Sequence, residues 1–280
     1  MNTEYKHLQV EQDKRGVVTI TLNRPKVRNA FDDTTVIELT NAFGNIDKEA
    51  RGVILRSADP VFCAGGDLRW MARAGLSDWD ANVEDAQRLV TMFDTIRQTP
   101  VPVIGVVQGA AIGGGLGLLC ACDIVIATED AIFQTSETRL GLTPACIAPF
   151  VLARIGLSHT QFLFLSGAVI SAHRAQEIGL VHEVAASAEL NNAVEIIIGR
   201  ILDANPDALR ATKELLLKLS PSDETIGIET SKLLASFRAS SAAQTSMSAF
   251  MKTHAELALG LLRENQSLYD TFAKCCGEPS

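Results

Sequence analysis

The run from Val101 to Ala127, VPVIGVVQGAAIGGGLGLLCACDIVIA, constrains the fold more than any other stretch of the chain. Its length and apolar content would suffice to cross a bilayer. It also contains Pro102, Gln108, Asp123 and five glycines between Gly109 and Gly117, and clustered glycines mark turns. The pattern therefore predicts a buried strand (Val103 to Val107), a glycine turn, a helix (about Gly114 to Cys122) and a further strand (Ile124 to Ala127). The expected result is a soluble core and no membrane association.

The neighbouring sequence extends that alternation. Val17 to Leu22 is β-branched and reads as a strand. Asp32 and Asp33 can cap a helix whose Val36, Leu39 and Phe43 share one face. Gly52 to Arg56 reads as the next strand and Asp85 to Arg97 as an amphipathic helix. Strands alternating with helices imply crossover connections and a partly parallel sheet, an α/β fold. Further on come a helix in IAPFVLARIG, another from Ser171 to Ile178 stopped by Gly179, and a short strand at Leu180 to Val184. Beyond Asn205-Pro206 the pattern is helical throughout: Ala208 to Leu219, Glu224 to Ala239 and His254 to Ala273. With 280 residues, the expected division is an α/β core over residues 1–205 and a helical C-terminal region over 206–280 that serves packing and oligomerisation.

Composition narrows the function. Lys+Arg 25 against Asp+Glu 33 gives a net charge of −8, which offers no general attraction to nucleic acid or anionic lipid. Six cysteines, Cys63, Cys120, Cys122, Cys146, Cys275 and Cys276, lack the spacing of a disulfide framework or a zinc site and read as free thiols in a reducing compartment. Met1 to Arg15 is polar and of mixed charge, so no signal peptide and a cytoplasmic location are expected.

Two glycine-rich turns carry the chemistry: Phe62-Cys63-Ala64-Gly65-Gly66-Asp67-Leu68, and Gly113-Gly114-Gly115. Small residues let a ligand approach the backbone, and exposed amides at a helix start favour negative charge. Two such amides can form an oxyanion hole. A dinucleotide site would need G-x-G-x-x-G directly after the first strand, and the Gly113 cluster lies too deep in the chain for that.

FCAGGDLRWM (from Phe62), GAAIGGGLGLLCACDIVIA (from Gly109) and FQTSETRLGLTP (from Phe133), together with LNRPKVRNAF (from Leu22), resemble the enoyl-CoA hydratase/isomerase family, the crotonases. The resemblance runs from about Val17 to about Val184 and implies a spiral of strand–helix units, assembly as a homotrimer or homohexamer, and no permanent cofactor, coenzyme A arriving as part of the substrate. It implies that the Gly66 and Gly114 amides hold the thioester oxygen as it becomes an enolate. It places the CoA moiety along Ala64, Gly65, Asp67 and Leu68 and in the groove of Lys26, Arg28 and Ala30. The two cations suit CoA phosphates.

Hydratases of this family commonly use two glutamates. The first position is Gly117 here, which transfers no proton; the second is Glu137. Read alone, Glu137 could equally be an ordinary helix-start carboxylate beside Ser136. A single glutamate suits hydration of a 2-enoyl-CoA, in which it activates water, or isomerisation of a 3-enoyl-CoA, in which it moves a proton from C2 to C4. DLRWM, Gly117 and SETRLGLTPA resemble most the bacterial methylglutaconyl-CoA hydratase subgroup, with its relatives acting on isohexenylglutaconyl-CoA. Hydration of a branched glutaconyl-type enoyl-CoA is therefore the favoured reading, within leucine or acyclic terpene degradation. The second carboxylate of such a substrate calls for a cation, with Arg69, Arg73 and Arg139 as candidates. The alternatives are the isomerase and, from another class, a non-catalytic acyl-CoA-binding or RNA-binding protein. The charge of −8 argues against RNA.

Overall fold

The computed structural model describes residues 4–47, 49–219 and 224–264, without side chains at 224 and 254–264. The side chains of Leu257, Leu259, Leu261 and Leu262, which could serve either an oligomer interface or internal packing of the helical region, lie outside what is described, as do Cys275 and Cys276. The chain opens with β1 (Leu8–Gln12) and β2 (Val17–Leu22), an antiparallel pair. Asp32 caps α1 (Asp33–Gly44) by accepting from the Thr35 amide, and Val36, Leu39 and Phe43 are its buried face. Next come β3 (Gly52–Ser57), α2 (Leu68–Leu76) and α3 (Trp79–Arg97), the last starting six residues before the expected Asp85 because Asp78 caps it.

The Val101–Ala127 run folds as β4 (Val103–Val107), β5 (Ala110–Ile112), α4 (Gly114–Ala121) and β6 (Ile124–Thr128). The expected strand–turn–helix–strand order holds, with one insertion: the chain makes the three-residue β5 before the glycines. After β7 (Ile132–Gln134), α5 (Ala148–Ser166), β8 (Val169–Ser171), α6 (Ala172–Glu177) and β9 (Glu183–Ala185) follow. The helices α7 (Leu190–Asp203), α8 (Pro206–Leu219), α9 (Glu224–Ala239) and α10 (Ser241–Glu264) complete the described chain. The last helix therefore starts at Ser241 rather than at His254, since Ala243 and Met247 are packed into the core.

The strands form a six-stranded sheet in the order β1-β2-β3-β4-β6-β9, parallel from β2 onwards, and a three-stranded sheet β5-β7-β8. A parallel sheet is buried on both faces. Along β4, Val103 and Val107 enter the main core, while Ile104 and Val106 join Leu190, Val194, Ile198 and Ile201 of α7 on the other face. Leu234 of α9 and Ala243 and Met247 of α10 belong to the main core as well. Cys63, Cys120, Cys122 and Cys146 are free and buried, and burial pushes their thiols up to about 12.

Candidate active site

Three loops meet at the edge of the small sheet. The first, residues 24–31, holds Arg28 and Asn29 in left-handed backbone (φ +52° and +55°). Arg24 fixes it, with an ion pair of 2.7 Å to Asp32 and a hydrogen bond from its amide to Asn29 Oδ1 at 2.7 Å. The second, residues 63–67, is stitched to the first: Ala64 N donates to Arg28 O at 3.0 Å, Phe31 N to Gly65 O at 2.8 Å and Asp67 N to Phe31 O at 2.9 Å. It is also an extension of β5, as Cys63 N donates to Ala110 O at 3.1 Å and Ile112 N to Cys63 O at 3.0 Å. Gly65 has φ +90°, and a methyl group there would lie 2.8 Å from Ile112 O and 3.3 Å from Gly114 N. Only glycine fits that approach.

Neither the Gly66 nor the Gly114 amide donates to an acceptor among the described residues. Gly114 is the first residue of α4, whose N-terminus carries partial positive charge. Two free amides on abutting loops are the parts of an anion cradle.

The third loop brings Glu137. β5 and β7 run parallel, and Gly113 N donates to Gln134 O at 2.8 Å, so the glycine turn and the chain entering Glu137 leave the sheet together. Glu137 starts a 3-10 turn, Glu137–Leu140, closed by Leu142 N donating to Glu137 O at 2.9 Å. A methyl group on Gly113 would lie 2.8 Å from Glu137 Oε1, while Oε2 is enclosed without a hydrogen-bond partner. Burial pushes the carboxyl up to about 7, with the Ser136 and Glu137 amides offsetting part of the effect. A buried carboxyl with one unpartnered oxygen and a near-neutral pKa can both take and give a proton.

The position expected for a first glutamate is filled. A side chain on Gly117 would run into Ile147 and Phe93. The surroundings there are apolar.

The ten residues that the resemblance assigns to the oxyanion hole, proton transfer and CoA binding line one cleft of about 780 Å³: Lys26, Arg28, Ala30, Ala64, Gly65, Gly66, Asp67, Leu68, Gly114 and Glu137. Asp67 is occupied by the fold, since its side chain caps α2 by accepting from Arg69 N at 3.0 Å. Arg69 and Arg139 also line the cleft; Arg73 does not. The sequence reading did not reach the inner wall: Leu89 and Phe93 of α3, Cys146 and Ile147, Leu234 of α9, and Phe250 and Met251 of α10. Apolar residues that line a pocket and those that fill a core share the same periodicity, so no local signal separates them. Among the described residues no group of three His, Cys, Asp or Glu could hold a metal ion.

The enoyl-CoA hydratase/isomerase family model matches residues 12–256. The enoyl-CoA hydratase domain-containing protein 2, mitochondrial, of Mus musculus is 35% identical over 207 residues, 71% of this chain and 69% of that one. The structure of an enoyl-CoA hydratase/isomerase from Marinobacter aquaeolei superimposes with a TM-score of 0.73 at 36% identity, over 89% of this chain and 97% of that one. An enoyl-CoA hydratase from Shewanella pealeana gives a TM-score of 0.73 at 31% identity, over 89% and 95% of the two chains. The fold is therefore that of the crotonases. The chain belongs to the enoyl-CoA hydratase/isomerase family and is an enzyme of that family.

Proposed function

We propose that this enzyme hydrates a branched, glutaconyl-type 2-enoyl-CoA with Glu137 as its single proton-transfer group. The observation that carries the reading is the Glu137 carboxyl beside Gly113, its Oε2 enclosed without a hydrogen-bond partner, in one cleft with the free Gly66 and Gly114 amides. As ionised carboxylate, Glu137 takes a proton from water while the water oxygen bonds to C3. The C2–C3 π pair moves to the thioester oxygen, where the Gly66 and Gly114 amides stabilise the enolate. The enolate then takes the proton at C2 from Glu137, which leaves product and the starting carboxylate. Lys26 and Arg28, at the rim, are suited to CoA phosphates. Arg69 and Arg139 support a second substrate carboxylate, as the two of the three candidate arginines that line the cleft. For a trimeric or hexameric assembly, α5 offers exposed apolar side chains at Leu157, Phe162 and Leu165.

A second reading has its own observation. Ile147 and Phe93 pack where a second glutamate would stand, and an apolar wall at that position suits isomerisation, in which Glu137 moves a proton from C2 to C4 and no water reacts. A panel of thioesters separates the two. Hydratase activity removes the conjugated absorbance of glutaconyl-type 2-enoyl-CoA, whereas an isomerase raises it from 3-enoyl-CoA. In either case Glu137→Gln should lower kcat by at least about ten-thousandfold, the upper end for general acid–base groups, because no second carboxylate can substitute. Wild-type turnover in that variant would overturn both readings.

A further inference from the structure

Behind the two free amides lies a buried arginine from the C-terminal region. Arg238 of α9 is fully buried. Its Nη1 pairs with Asp85 Oδ2 of α3 at 2.7 Å, its Nη2 donates to Met71 Sδ at 2.9 Å, and its guanidinium lies 4.9 Å from the centre of the Trp70 ring. Trp70 Nε1 donates to the other Asp85 oxygen at 3.1 Å. Trp70 and Met71 are in the first turn of α2, directly after the 63–67 loop.

Each of these side chains backs one of the amides. A methyl group on Gly66 would lie 3.3 Å from Met71 Sδ. The Trp70 ring meets Phe31 edge-on at 6.3 Å, and the Phe31 ring occupies the space that a Gly114 side chain would need. The rear of α2 is closed too: Gln244 Nε2 donates to Ala72 O at 3.1 Å and to Arg238 O at 2.9 Å.

Burying a guanidinium is costly, the more so as Arg238 Nε has no partner, and an apolar side chain of similar volume would often hold the fold as well. Such a side chain could not grip a carboxylate, a thioether and an indole face at once, as a planar fork does. On the reading that Gly66 and Gly114 bind the thioester oxygen, we propose that Arg238 is a positioning residue for the oxyanion hole. It acts through Met71 on Gly66, and through Trp70 and Phe31 on Gly114.

The test uses Arg238→Lys and Arg238→Met in the full chain. Three quantities are read: kcat, KM for a 2-enoyl-CoA, and the red shift of bound 2,4-hexadienoyl-CoA, which reports hydrogen bonds to the thioester oxygen. Slight misplacement of oxyanion donors should lower kcat by about 10- to 100-fold and shrink the red shift, with KM changed less than about threefold. Lys213→Met is the comparison. It breaks another buried ion pair, 2.6 Å to Asp123, and should lower the melting temperature yet keep kcat and the red shift.

A folded arginine variant with wild-type kcat and red shift overturns the proposal. So does a loss of kcat in Lys213→Met that matches its loss of stability. Should both arginine variants fail to fold, Trp70→Phe removes the indole N–H from the same bracket and is read in the same way. A wild-type enzyme with neither turnover nor red shift would overturn the enoyl-CoA reading itself.

Discussion

At the scale of single residues, Glu137 holds a carboxyl largely withdrawn from solvent, its Oε2 enclosed without a partner, and this has opposite effects on stability and activity. Its proton stays on up to about pH 7 in the folded protein, while an unfolded glutamate keeps the ordinary value of 4.5. Between those limits the folded state binds more protons, so stability falls as pH rises. The contribution is complete below about pH 4.5 and lost above 7. Glu137→Gln should therefore stabilise the ligand-free protein more at pH 8 than at pH 5, by up to about 3 kcal/mol, in paired thermal melts. Equal changes at both pH values would show that the carboxyl is not held up by burial. With Glu137 as the proposed base, activity moves the other way: kcat/KM should rise with pH and level off above about 7. The position of Glu137 was legible in the motif around it, but its enclosure was not, because the walls come from residues far away in sequence. Arg238 was invisible for the same reason. Its partners Trp70, Met71 and Asp85 lie more than 150 positions away along the chain.

Among the elements, α4 decides the geometry of the site, and both its ends are held. Gly113 N on Gln134 O fixes the N-terminal end, while Arg154 of α5 donates to the carbonyls of Cys120 in the last turn and of Cys122 and Asp123 just after it. A cation at a helix C-terminus satisfies orphan acceptors and complements the dipole. Arg154→Met should cost about 2–4 kcal/mol in denaturant unfolding, since half-buried acceptors lose charged donors. It should change kcat of the folded enzyme by less than about fivefold, as the lost dipole complement is worth only about 0.3–1 kcal/mol. A much larger kcat loss would mean that the two ends of α4 are not held independently. The helix itself could be read from the glycines and the apolar run after them. Three-residue strands such as β5, β7 and β8 could not, since their pairing rests on partners across the sheet rather than on any local period. The signal for α7 was present, with Leu190, Val194, Ile198 and Ile201 at helical spacing, and went unread.

Across the whole molecule, the α/β part of the chain and the helices α9 and α10 share one hydrophobic cluster and one cleft. Leu234, Ala243 and Met247 pack into that cluster, and Leu234, Phe250 and Met251 line the same cleft as the glycine turns. The expected division near Pro206 rests on the continuous helical pattern after it, and the last strand ends earlier, at Ala185; the dependence between the two parts has no local signal, because it lies in pairs such as Asp85–Arg238 and Asp123–Lys213. A chain of residues 1–205 should therefore not fold on its own. Removing the helices leaves Asp85 and Asp123 without their cations and Asn82, which donates to Ala235 O at 2.9 Å, without its acceptor. Breaking one buried pair by removal of a partner costs roughly 3–5 kcal/mol, against a total stability of about 5–15 kcal/mol for a domain. The apolar faces of α2 and α3 that α9 covers would also be returned to water. The 1–205 chain should show no cooperative thermal transition by circular dichroism and should aggregate, while the full chain melts in one step. A cooperative melt of residues 1–205 alone would make the helices an accessory layer and give the active-site cleft a wall that the core does not need.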